Sequence, residues 1–218
     1  MNTDAFADTE IDWMAILTSD NDGPEWVDIT PERIAMISLI DCREQLEKSE
    51  TFVLRLALAA KSGHLAVQAA LTAAIAGTAN IGAHPEKLRT KYLEHFEESR
   101  TKQSERPESD RVMALSELLE AATSNNLPWL NAPLSITPDQ KNQLERLTSI
   151  RDAVEHPKQM LHAIEPDYIL ETMPVVADLT LSLLETVSHH FETGELDQVR
   201  DAAVAIVVIC KARLDPVV

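Results

Sequence analysis

Thr137-Pro138-Asp139-Gln140-Lys141-Asn142-Gln143-Leu144-Glu145-Arg146-Leu147-Thr148-Ser149-Ile150-Arg151-Asp152-Ala153-Val154-Glu155-His156-Pro157 carries its own start and stop signals. Thr137 is a helix-capping hydroxyl with Gln140 three residues later, the pattern of a reciprocal capping box. Pro138 suits the first helical position, where its missing N–H costs nothing. Leu144, Leu147, Ile150 and Val154 recur on one side, and Pro157 cannot continue the turn. The stretch is one amphipathic helix with a buried stripe, ending at His156.

The same grammar repeats along the chain. Thr30-Pro31-Glu32 opens a helix to about Lys48. A second, from about Thr51 to Ala76, carries Leu54, Leu58 and Leu65 among many alanines, whose small side chains suit the centre of a bundle. His84-Pro85-Glu86 starts a charged helix to about Glu98. Arg111 to Thr123 reads as a fourth, with Met113, Leu115, Leu118 and Leu119 on its apolar side. Pro166 opens a long helix through Phe191, with a kink at Pro174 and Gly194 as the C-terminal stop. A last apolar segment runs from Glu195 to about Ala212; its Ile206-Val207-Val208-Ile209 could be a strand alone, but its surroundings favour helix. Ser99 to Asp110 and Leu127 to Leu134 read as loops. The expectation is an all-α helical bundle of about six to seven helices. Residues 1–29 form an acidic lead-in, with a short helix around Ile11 to Leu17, and residues 30–218 form one domain.

Composition agrees. Glycine accounts for 5 of 218 residues and aromatics for 4%, which disfavours sandwiches, barrels and Gly-rich phosphate loops. Nineteen basic residues face 36 acidic ones, a net charge of −17, which excludes a broad RNA-coating surface. The charge is uneven. Residues 1–50 hold 13 acids and 3 bases, whereas residues 51–110 hold 7 and 8. Ser62 to Pro85 carries no formal charge, but its Gly, Thr, Gln, His and Asn residues mark a buried helix rather than a membrane span. The N-terminus lacks the pattern of a signal peptide. Cys42 and Cys210 lie in apolar contexts without CxxC spacing, so a reducing cytoplasm is the simple reading.

Within the opening helix, Arg151-Asp152-Ala153-Val154-Glu155-His156 matches Arg-polar-x-x-x-His at a helix end. With the following proline and the helical setting, it resembles the signature of the HEPN superfamily. The resemblance spans about residues 30–193, although its specific part is these six residues. It implies a helical bundle that dimerises and brings two motifs together. It also implies a metal-independent endoribonuclease of toxin or defence type, with RNA as substrate and an antitoxin or regulatory protein as partner. Some members instead act as interaction or nucleotide-binding modules. By that likeness Arg151 stabilises the phosphorane charge, His156 is general base or acid, and Asp152 orients the pair.

The chemistry also stands by itself. Cleavage by an RNA 2′-hydroxyl needs a proton acceptor near neutral pH and a cation on the developing phosphate charge. Histidine and arginine supply both. In a regular helix, however, five residues put Arg151 and His156 about 140° apart. Unwinding before Pro157, or a second copy across a two-fold axis, must close that gap. Arg151 also lies on the flank of the apolar stripe, where a charge needs a partner. The plain alternative is an Arg151–Glu155 ion pair at i,i+4, with His156 a mere helix-end residue.

Other candidates are weaker. Glu185, His189, His190 and Glu192 could suggest a metal, but lack partner motifs elsewhere. His95 and Glu98 read as exposed. Lys87, Arg89, Lys91, Arg100, Lys102 and Arg106 are interleaved with glutamates into a mixed, solvated face. Trp13, Trp26 and Trp129 sit in loops and cap the bundle. No cofactor or metal ligand set is expected.

Overall fold

The computed structural model describes residues 29–102, 104–128, 131–156 and 163–215. Seven α-helices lie among the described residues: α1 Pro31–Lys48, α2 Arg55–Ala76, α3 Glu86–Ser99, α4 Leu115–Ser124, α5 Pro138–Glu155, α6 Pro166–Thr186 and α7 Glu195–Leu214. A 3-10 turn, Ser188–His190, follows α6. The described chain is an all-α bundle. The expected short helix at Ile11–Leu17 and the three tryptophans lie outside the described residues.

Helix α2 is the central element and packs against α1, α4, α5 and α6. Its alanines explain why. Ala59, Ala60, Ala66, Ala70 and Ala74 are fully buried, so four neighbours can approach one axis closely. Gly63 goes further, since a Cβ there would sit 3.2 Å from Val176 Cγ1 of α6 and 3.5 Å from Cys42 Sγ of α1. Around this axis Leu39, Leu46, Leu118, Leu144, Leu147, Met173, Leu183 and Leu184 fill the core. The uncharged stretch of the sequence therefore covers residues 62–76 of this buried helix and the loop that follows it. Among the described residues no helix is long and apolar enough to cross a membrane.

The caps form as the sequence reads. Thr137 Oγ1 accepts from the Gln140 N–H at 3.2 Å, and Gln140 Oε1 accepts from the Thr137 N–H at 2.8 Å. Thr30 Oγ1 caps α1 by accepting from the Arg33 N–H. Thr137→Ala should cost about 1 kcal/mol. It should lower the thermal midpoint by roughly 2–4 °C in a domain of this size, measurable by circular dichroism.

Three boundaries differ from expectation. Residues 51–54 are not helical, so α2 begins at Arg55. Residues 111–114 are not helical. Met113 donates its backbone N–H to the Ala83 carbonyl at 2.9 Å, and the Arg111 carbonyl bonds to His84 Nδ1 at 2.8 Å. Pairing with the loop before α3 thus holds this segment extended, despite its apolar spacing, and α4 starts at Leu115. Helix α6 stops at Thr186 rather than Phe191, and accommodates Pro174 inside it. Gly194 is consequently not its stop. With φ +90° it is the N-cap of α7, where left-handed backbone suits glycine.

Helix α7, including Ile206 to Ile209, closes the bundle against α1 and α6. Arg33 of α1 ties this end down through Glu195 at 2.9 Å and Glu192 at 3.2 Å. Helix α3 stands to one side. Its buried Tyr92 stacks on His84, hydrogen-bonds Asp110 and lies under the Arg106 guanidinium, pinning the loop that follows.

Candidate functional site

Helix α5 delivers the motif. Leu144, Leu147 and Ile150 point into the core, which leaves Arg151 half-buried on the side that faces α2. His156 is the C-cap, with φ −125° and ψ 69°, and its N–H still donates to the Asp152 carbonyl at 2.9 Å. The backbone has therefore left helical geometry at His156, and the angle set by a regular helix does not apply there. His156 and Asp152 are exposed, and Pro157 lies outside the described residues.

The Arg151 guanidinium is occupied on one edge. Its Nη1 donates to Glu155 Oε2 at 3.0 Å and lies 3.2 Å from Asp152 Oδ1. The i,i+4 pair expected as the plain alternative is thus present. Its inner edge is different, because Arg151 Nε is buried without a hydrogen-bond partner.

Helix α2 contributes two side chains that the sequence reading did not single out as site residues. Lys61 Nζ is 3.6 Å from Glu155 Oε1. One turn on, His64 is 2% exposed and its Nε2 also has no hydrogen-bond partner. Burial pushes the imidazole down to about 4, and the Arg151 cation adds to this against Asp152 and Glu155. His64 is therefore neutral at pH 7. The Glu155 carboxyl is held below its usual range, chiefly by the hydrogen bond from Arg151. A sequence signal existed for one of the two. His64 is the only titratable residue between Lys61 and His84, in the middle of the apolar helix.

The set thus comprises Lys61 and His64 from one helix and Arg151, Asp152, Glu155 and His156 from another. Chemically it offers two fixed cations, two carboxylates, one buried neutral imidazole and one exposed imidazole. Such a group can hold an oxyanion only if a carboxylate yields its place.

The weaker candidates resolve simply. Glu185 accepts from Arg200 at 3.1 Å and Glu192 pairs with Arg33. Among the described residues no group of three or more His, Cys, Asp or Glu side chains is placed to hold a metal ion. His95 is only partly exposed, with Nδ1 3.2 Å from Ser104 Oγ. Beside it an open cavity of about 530 Å³ lies between α3 and residues 104–109. There Lys91 and Arg106 are offset by Glu94, Glu98, Glu105 and Glu108, so the basic-leaning stretch presents a mixed face. Cys42 and Cys210 are both buried and free.

Compared with known proteins, the chain matches no family model, and no curated protein or solved structure matches it significantly.

Proposed function

We propose that this chain is a HEPN-like endoribonuclease that cuts RNA without a metal ion, through Arg151 and His156 assisted by Asp152. The observation that carries the reading is the break of α5 at His156, one turn beyond an arginine whose inner edge is buried and unpartnered. A neutral His156 takes the proton of a ribose 2′-hydroxyl, whose oxygen attacks the adjacent phosphorus. The Arg151 guanidinium stabilises the charge that grows on the phosphate oxygens. The bond to the 5′-oxygen breaks, and that oxygen leaves with a proton returned by a second imidazole. A second copy of the chain, with its own His156, supplies that acid in a shared cleft. The products are a 2′,3′-cyclic phosphate and a 5′-hydroxyl.

One observation favours a second reading. Glu155 and Asp152 already neutralise Arg151 in the single chain, as befits a helical module that binds a protein partner and performs no cleavage.

Incubating purified protein with mixed RNA in EDTA separates the two. The expected result is cleavage that falls by about 10²–10³-fold in Arg151→Ala and by about 10²–10⁴-fold in His156→Ala. Folding of both variants is checked by circular dichroism. Intact RNA with the wild type, with and without residues 1–29, would select the interaction module.

A further inference from the structure

The Glu155 carboxylate divides its two oxygens between cations from different helices. Oε2 accepts from Arg151 Nη1 of α5 at 3.0 Å, and Oε1 faces Lys61 Nζ of α2 at 3.6 Å. This is how a guanidinium and an ammonium share the non-bridging oxygens of a phosphate. Behind the pair, Arg151 Nε and His64 Nε2 are buried with no partner. Buried polar atoms in a folded protein almost always have one, so these two nitrogens on facing helices have hydrogen-bonding capacity that a ligand oxygen can take up. The two carboxylates of the motif, Asp152 and Glu155, meet Arg151 at Nη1 rather than at Nε.

We propose that Lys61, His64 and Arg151 form a phosphate-binding site between α2 and α5, and that Glu155 is its built-in plug. The ligand class is the oxyanion of a phosphodiester or phosphate. Glu155 is tethered on the last turn of α5, so it competes at a high effective concentration. Glu155 weakens phosphate binding while it holds both cations, and the site binds fully when Glu155 is drawn away. The site rests on the same arginine as the ribonuclease reading, yet it requires only binding, not cleavage.

The test uses inorganic phosphate as probe and the full chain at low ionic strength, where exposed charges are least screened. Binding is followed by titration calorimetry. Glu155→Gln keeps the side-chain volume without the charge, and Glu155→Asp is too short to span both cations. Either variant should bind phosphate at least about tenfold more tightly than the wild type. Adding Lys61→Met to Glu155→Gln should abolish the gain. A folded Glu155→Gln protein with wild-type phosphate affinity would overturn the proposal, as would a gain that survives loss of Lys61. So would failure of both single variants to fold, since a plug must be dispensable to the bundle.

The two readings fail separately. Gained phosphate binding without any RNA cleavage keeps this site and removes the ribonuclease. Cleavage by the wild type, with no phosphate gain in Glu155→Gln, does the reverse.

Discussion

Gly82→Ala should destabilise the bundle by on the order of 3 kcal/mol or more, at the upper edge of overpacking effects. A Cβ at this position would lie 1.9 Å from the Ile75 carbonyl oxygen and 3.1 Å from that of Ala76. Both are backbone atoms of the last turn of α2, so no rotamer change can relieve the clash. The close approach is fixed by the Gly82 N–H, which donates to the Ala76 carbonyl at 3.1 Å and closes the loop back onto the helix end. Moving that loop would also disturb the Met113–Ala83 bond that holds residues 111–114 extended. Gly194→Ala is the contrasting variant. Gly194 has φ +90° but nothing within 4 Å of a Cβ, so only backbone strain is added, about 1–2 kcal/mol. Urea unfolding of both should show Gly82→Ala as clearly the less stable. Equal losses would mean that the α2–α3 loop yields more readily than its hydrogen bonding implies.

Local signals explain why the bundle is legible in the sequence. Thr137 with Gln140, Thr30 with Pro31, and the alanines of α2 each act within one helix or on its immediate surface. The Arg151–Glu155 pair was legible for the same reason, since i,i+4 neighbours meet on any helix. Residues 111–114 and 187–194 misled because their conformations are set from outside. The former pairs with the loop before α3. The latter is a chain reversal whose glycine serves the start of α7 rather than the end of α6. At the candidate site the divide is the same. Arg151, Asp152 and His156 share one helix and can be read as a motif, whereas Lys61 and His64 lie about ninety residues away. Only the packing of α2 on α5 brings them to Glu155. No periodicity of either helix encodes that meeting.

His64→Leu should make the protein markedly less sensitive to acid. In the folded chain burial and the Arg151 cation hold His64 near 4, whereas in the unfolded chain it titrates near 6.5. A group whose folded value is depressed binds its proton first in the unfolded state, so acid favours unfolding. Above pH 6.5 both states are neutral and His64 contributes no pH dependence. As pH falls through 6.5 towards 4 the wild type should lose about 3 kcal/mol through this residue, and the variant none of it. Glu155 acts in a different window. Its depressed carboxyl stabilises the fold above about pH 4.5, and that contribution is lost only as pH falls further. Urea titrations at about pH 7 and about pH 4.5 therefore isolate the histidine, with the difference between the two proteins expected to change by roughly 2–3 kcal/mol. Parallel losses in both proteins would show that His64 takes up its proton inside the bundle without penalty. At pH 7 the same neutrality means that His64 adds no charge beside Arg151. The charge where α2 meets the end of α5 is then that of Arg151 and Lys61 set against Asp152 and Glu155.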